Sequence, residues 1–378
     1  MIHDRGTGEP VEAAPGMGPS PTGRPSARER KGLEDPAVDE GIRDLLRLRA
    51  LPGVGDHTVA RLVKNFGSAS VALGASEADF VEVAGREAAR ARRTGSVDRD
   101  IDVEIDRVFR RVEELGLRVV GLGLEGYPPA LEALHDPPPV LFLRGRSEVL
   151  DRPSVAVVGS RRATAYGRRS AEILGATAAR AGIVVTSGLA LGVDAAAHRG
   201  ALQAGGEALG VLGSGVDVPS PRANAALFRQ LARDHLLVSE FLPGTHAAPH
   251  HFPQRNRIMA ALSSAVVVVE AAARSGALIT VDHALDLGRE VLAVPGKVDS
   301  PTSRGTNAMI RDGASIVCEL EDVVELLAVA LPDVFGDRSK TSAATGEVDD
   351  DGRCEDRFDG EVEGGPRPPR IPAGRSGG

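Results

Sequence analysis

The chain of 378 residues is long enough to bury a sizeable core as one large domain with smaller additions, and its 45 Lys and Arg against 53 Asp and Glu give a net charge of −8. That balance excludes a surface coated in positive charge, so any polyanion site must be a local basic patch. With no Trp and only 3% aromatic residues, such a site relies on arginine more than on stacked aromatic platforms.

Residues 1–39 and 337–378 are rich in Gly, Pro, Ala and charge without periodicity and are expected to be disordered. Between Gly41 and Leu73 the apolar spacing turns helical, with Leu45, Leu46 and Leu48, then the break LPGVG at 51–55, then Val59, Leu62, Val63 and Phe66. This predicts helix, tight turn, helix, and further helical sequence makes 40–116 a small all-α domain. A short strand, LRVVGL, leads into a proline-rich connector, EGYPPALEALHDPPPVLFLRG, in which a long helix is excluded.

From Ser154 onward, apolar runs (VAVVG, IVVTSG, ALGVLG, LLVSE, AVVVVE, EVLAVPG) alternate with helical stretches. Continuous apolar strands with crossover helices predict a doubly wound, mostly parallel α/β sheet over 117–336. Cys318 and Cys354 lie far apart without metal-ligand spacing, so neither a disulfide framework nor a metal site is expected, and a reducing cytoplasm fits. No run is apolar enough for a signal core or a membrane span.

Ligands of such sheets bind at the carboxyl ends of the strands, which directs attention to four turns. In VAVVGSRRATAYGRRSAEIL (155–174), Gly159 allows close backbone approach, Ser160 offers a hydroxyl, and Arg161 and Arg162 place guanidinium groups near a helix start suited to phosphate. Between Arg144 and Arg169 there are seven arginines against Glu148 and Asp151. The turn is neither GxGxxG nor a Walker loop, so no dinucleotide or ATP cofactor is indicated.

In TSGLALGVDAAAHRGAL (186–202), Ser187, Gly188 and Gly192 could present backbone N–H groups to a second phosphate. Asp194 and His198, four apart, suit a structural hydrogen bond better than a catalytic pair, since the motif supplies no nucleophile or third ligand. In HAAPHHFPQRNRIMAALSSA (246–265), Arg255, Asn256 and Arg257 suit phosphates and base edges. The three histidines fit a loop role, and Phe252 is either core or a base contact, with core the safer reading. In the fourth segment (266–296), Arg274, Ser275 and Gly276 precede a helix and give another anion-friendly start. No catalytic constellation emerges.

Taken in order, VGSRRATAYG, TSGLALGVDAAAH, VLGSGVDVPSPRAN, HFPQRNRIMAAL, RSGALIT, REVLAVPG and GTNAMIRDGA make the chain resemble the DNA-processing protein A (DprA/Smf) family over about residues 40 to 330. The resemblance implies an extended Rossmann-like domain in a single-stranded DNA-binding protein, usually a homodimer, that protects incoming DNA and hands it to the RecA recombinase in natural transformation, without being an enzyme. It places a phosphate pocket on Gly159, Ser160 and Arg161 with Ser187 and Gly188 beside it, completed by Arg255–Arg257 and Arg274–Gly276. The hairpin LPGVGDHTVARL matches the family's helix-hairpin-helix-like domain, which either contacts a DNA phosphate or packs.

The chain departs from the family in having Ser220 and Pro221 where a Tyr-Pro is common, in lacking a basic residue just before HFP, and in showing no winged-helix pattern toward its end. The rival reading is a nucleotide-binding enzyme of the phosphoribohydrolase type. Its PGGxGT loop and following Glu are missing, with VVEAAARSGALIT in their place.

Overall fold

A computed structural model of the chain describes residues 36–93, 98–319 and 322–330. These belong to one compact unit, Met1–Val334; a second unit, Phe335–Gly378, falls outside the described residues together with the ends expected to be disordered.

Five helices open the fold: α1 (Pro36–Ala50), α2 (Asp56–Phe66), α3 (Ala69–Gly74), α4 (Glu77–Arg93) and α5 (Asp98–Leu115). Helix α1 starts at Pro36, inside the stretch expected to be without structure. Proline at a helix start gives up no hydrogen bond, and Asp39 complements the dipole in the first turn. Ile42, Leu45 and Leu48 bury the inward stripe. The break after α1 is a turn in which the Val54 N–H reaches the Leu51 carbonyl at 3.0 Å, with Gly53 at φ 77°, a left-handed conformation that favours glycine.

The strands are β1 (Arg118–Gly121), β2 (Val140–Gly145), β3 (Ser154–Val158), β4 (Val184–Ser187), β5 (Ala208–Val211), β6 (Leu236–Ser239), β7 (Ala265–Val268), β8 (Glu290–Ala293) and β9 (Ser315–Ile316). They form one sheet in the order β1-β2-β6-β5-β4-β3-β7-β8-β9. Every pairing from β6 to β9 is parallel, while β1 and β2 are antiparallel additions at one edge. The connector holds only the four-residue α6 (Pro129–Glu132), as its prolines require.

Crossover helices α7 (Ala165–Arg180), α8 (Val193–Gln203) and α9 (Ala225–Asp234) follow β3, β4 and β5. The chain then passes through α10 (His251–Leu262) to β7 on the far side of β3, and continues through α11 (Ala277–Asp286), α12 (Arg304–Arg311) and α13 (Asp322–Ala330). Right-handed crossovers running in opposite directions from β3 and β7 put α7 and α8 on one face and α10 and α11 on the other. Leucines and valines of the helical part and of the sheet belong to one continuous cluster of buried residues. Among the described residues no helix is long and apolar enough to cross a membrane.

Helices α7 and α8 approach to backbone contact because glycine stands at both crossing points. A Cβ on Gly175 would lie 2.1 Å from the Ala197 carbonyl oxygen, and one on Gly200 would lie 1.8 Å from that of Glu172. Gly200→Ala is therefore expected to cost at least about 2 kcal/mol, because rigid backbone must move. Gly74→Ala, at the end of α3 with nothing within 4 Å, should be neutral or stabilising by up to about 1 kcal/mol. Urea unfolding of the two variants checks the contrast.

Candidate nucleic-acid interface

Because β3 and β7 are neighbours but lead away in opposite directions, the loops beyond their carboxyl ends part and leave a cleft of about 600 Å³, the usual ligand position in such sheets. Segments following β3, β4, β6 and β7 line it.

The first wall is the loop from β3 to α7. A Cβ on Gly159 would fall 2.9 Å from the Glu270 carbonyl oxygen, so the strand end must be glycine. The Ser160 N–H donates to that carbonyl at 2.7 Å, and the Arg162 N–H donates to Ser160 Oγ at 3.1 Å. Thr164 caps α7 by accepting from the Gly167 N–H at 3.1 Å. Its own N–H and hydroxyl donate to the two carboxylate oxygens of Glu270, at 2.9 and 2.6 Å. Arg161 and Arg162 project between these anchors, exposed, with the Arg161 guanidinium 4.4 Å above the Phe252 ring. Phe252 is half-buried and lines the cleft rather than the core where the sequence reading put it.

The second wall is the turn after β4, where the Ser187 hydroxyl and the Gly188 N–H are already engaged. Ser187 is fully buried and donates to the Val157 carbonyl at 2.7 Å. The N–H groups of Gly188 and Ala190 donate to Asp194 Oδ2 at 3.1 and 3.4 Å. Leu189 holds φ 52°, left-handed without being glycine, and the buried Asn224 side chain donates to the Leu189 and Ala190 carbonyls at 2.8 and 3.1 Å. Ser187 and Gly188 thus lie beneath the cleft as its support, and Asp194 serves the turn rather than His198. Burial raises the Asp194 carboxyl's affinity for its proton, with Arg255 acting against the shift.

On α10 the RNR triplet divides. Arg255, 3% exposed, forms part of the cleft floor; its guanidinium occupies the space a Cβ on Gly188 would need, and it donates to the Val211 carbonyl and to Asn256 Oδ1. Burial lowers its pKa to about 10, which leaves it cationic at neutral pH. Asn256 also lines the cleft and donates to the Gly276 carbonyl at 3.3 Å.

Arg257, 2% exposed, faces away toward Glu240 at 2.5 Å, Asp136 at 3.2 Å and Asp56 at 3.3 Å. Residues two apart on a helix do not share a face, so the structure does not bring Arg257 to the cleft. Beyond β7, Ser275 and Gly276 line the cleft, as does the buried hydroxyl of Thr280, while Arg274 is exposed outside its lining. Sequence reasoning missed Glu270, Thr164 and the support from Asn224. All three stood inside segments singled out from the sequence, but none of them was given a role there.

The profile of the DNA recombination-mediator protein A family matches residues 118–328. The chain belongs to that family. It is similar to the DNA processing protein DprA of Streptococcus pneumoniae, at 43% identity over 198 residues, which span 52% of this chain and 70% of the relative.

An X-ray structure of DNA processing protein A from S. pneumoniae superposes with a TM-score of 0.68 at 33% identity, covering 75% of this chain and 97% of that one. A structure of DNA processing protein A from Helicobacter pylori, described for its single-stranded DNA binding mode, matches with a TM-score of 0.51 at 30% identity, covering 54% of this chain and 94% of that one. Membership in the DNA recombination-mediator protein A family favours a role in DNA processing over the phosphoribohydrolase alternative.

The helix hairpin before α2 is surrounded by the protein's own charge. Asp56 pairs with Arg49 at 3.2 Å and with Arg257, and the Glu87 carboxylate lies 3.5 Å from where a Cβ on Gly53 would be. His57 stacks on His135 at 4.1 Å. These contacts use the hairpin for packing, and its carboxylates oppose a phosphate.

Burial of His198 beneath the cleft lowers its pKa from 6.5 to about 3. The unfolded chain therefore takes up a proton near pH 6.5 that the folded chain refuses, and stability is lost as pH falls through that range. Between pH 7.5 and 5.5 the wild type should lose about 1.4 kcal/mol more than His198→Gln, as measured by urea unfolding at each pH.

Proposed function

We propose that the protein binds single-stranded DNA in this cleft, with Gly159, Ser160, Arg161 and Arg162 on one wall, Arg255 and Asn256 on the floor, and Ser275 and Gly276 opposite. The observation that carries the reading is the charge of the cleft: Arg161, Arg162 and Arg255 line it, and Asp194, the one carboxylate in its described lining, is engaged by the turn after β4. A phosphate meets the Ser160–Arg162 loop and the start of α11, and a base meets Phe252. A cleft of about 600 Å³ suits a single strand whose bases are unstacked.

Ser187 and Gly188 act from beneath by shaping the turn, and Arg274 adds charge at the rim. Arg257 belongs instead to the joint between α2 and the sheet, with the helical segment 40–116 as a packing domain beside the DNA-binding segment 117–336. Further along this reading, the protein works in the cytoplasm as a homodimer that protects incoming DNA and hands it to RecA. Binding is its whole chemistry, without catalysis.

A labelled oligonucleotide should bind more tightly single-stranded than as a duplex, with log K falling against log salt at a slope near −2, about −0.7 for each of three neutralised phosphates. Arg161→Ala should weaken binding by about 1 to 3 kcal/mol and flatten the slope by about 0.7, with the melting temperature unchanged. Salt-insensitive or absent binding rejects the proposal.

A further inference from the structure

A carboxylate beside a phosphate-binding loop works against the ligand unless it does something the loop needs. Glu270, two residues beyond β7, is 2% exposed, so it neither reaches a ligand nor serves as a general base. It nevertheless bonds both ends of the first wall. Its carbonyl accepts the Ser160 N–H at one end of the loop, and its carboxylate accepts both the N–H and the hydroxyl of Thr164 at the other. Arg161 and Arg162 lie between these two anchors.

The surrounding sequence has made room for this residue. A Cβ on Gly159 would strike its backbone, and one on Gly167 would lie 2.3 Å from its carboxylate. Thr164 is also the cap of α7, so the same clamp sets where that helix begins.

We propose that Glu270 is a positioning residue for DNA binding: its side chain clamps Thr164 and so holds the arginines of the 160–164 loop at the cleft, without touching the ligand. The inference rests on the single-stranded DNA reading of this cleft. Charge and position make opposite predictions, which makes the idea testable. Removing a nearby anion should by electrostatics alone tighten polyanion binding, whereas loss of the clamp should weaken it.

The test measures binding of a labelled oligothymidine to the full chain across a salt series. Glu270→Ala is expected to bind at least about tenfold more weakly than wild type, with a slope flatter by about 0.7, and Glu270→Gln to fall between them. Adding Arg161→Ala to Glu270→Ala should cost much less than it does in the wild type, since the arginine is already misplaced. Binding by Glu270→Ala equal to or tighter than wild type, or full additivity with Arg161→Ala, overturns the proposal.

If Glu270→Ala does not fold, Thr164 decides: Thr164→Val, which loses the hydroxyl donor, should bind several-fold more weakly than Thr164→Ser, which keeps it. Equal affinities of those two overturn the clamp. Failure of the wild type itself to bind would instead strike at the DNA reading on which the clamp rests.

Discussion

Everything at the cleft follows from β3 and β7 lying side by side while their crossovers depart in opposite directions. Parallel strands fix the direction in which their loops leave, and right-handed crossovers fix the face to which each returns. The chain cannot close the gap above this pair without breaking one of those rules, so it lines the gap. Backbone N–H groups then gather where two helix starts approach one opening, and positive charge placed there meets no competing secondary structure. Glycine at 159 and 167, and at 192 where a Cβ would lie 2.2 Å from the Ser160 carbonyl oxygen, lets the lining come close enough to interlock.

Buried charge holds the parts in register. Arg257 meets Glu240 from the end of β6, Asp56 from α2 and Asp136 from the connector, while Arg49 of α1 bonds the Glu240 carbonyl at 3.0 Å and pairs with Asp56. Burial pushes the Glu240 carboxyl above the usual carboxylate range, against the pull of Arg257. Such a cluster adds little net stability over apolar packing of equal volume, but removing one member strands the others out of water at a cost of about 3 to 5 kcal/mol. Its directional bonds fix how the helical segment sits on the sheet, a geometry that leucines alone would leave loose.

The sequence made the sheet legible because six apolar runs bounded by glycine and acidic turns admit few other readings, and the turns after β3 and β7 could be placed at its carboxyl edge. It was less informative about direction and engagement. Arg255 and Arg257 read alike until the helix points them apart. Ser187 and Gly188 looked like free donors, but Val157 and Asp194, neither marked by local spacing as a partner, take their protons. Glu270 passed for the end of an apolar strand, since its partner Thr164 lies 106 residues away. Core was the safer reading of Phe252, but the structure puts it in the lining of the cleft. The two-residue β9 carries too little pattern to be seen at all.

On the proposed reading, labour divides between residues that meet the ligand and residues that hold them. Arg161 and Arg162 are exposed on a loop bonded at each end to Glu270, so little backbone freedom remains to be lost on binding. Arg255 works differently. Withdrawn from water, its guanidinium keeps its charge at neutral pH because burial brings the pKa only to about 10. Its hydrogen bonds run to a carbonyl and an amide rather than to a carboxylate, so its positive charge is oriented without being neutralised by direct pairing. In a poorly screened floor that charge acts more strongly on a phosphate above it than a surface lysine could. The protein bears the desolvation of Arg255 at folding, so the cleft floor carries a positive charge in a chain whose net charge is −8.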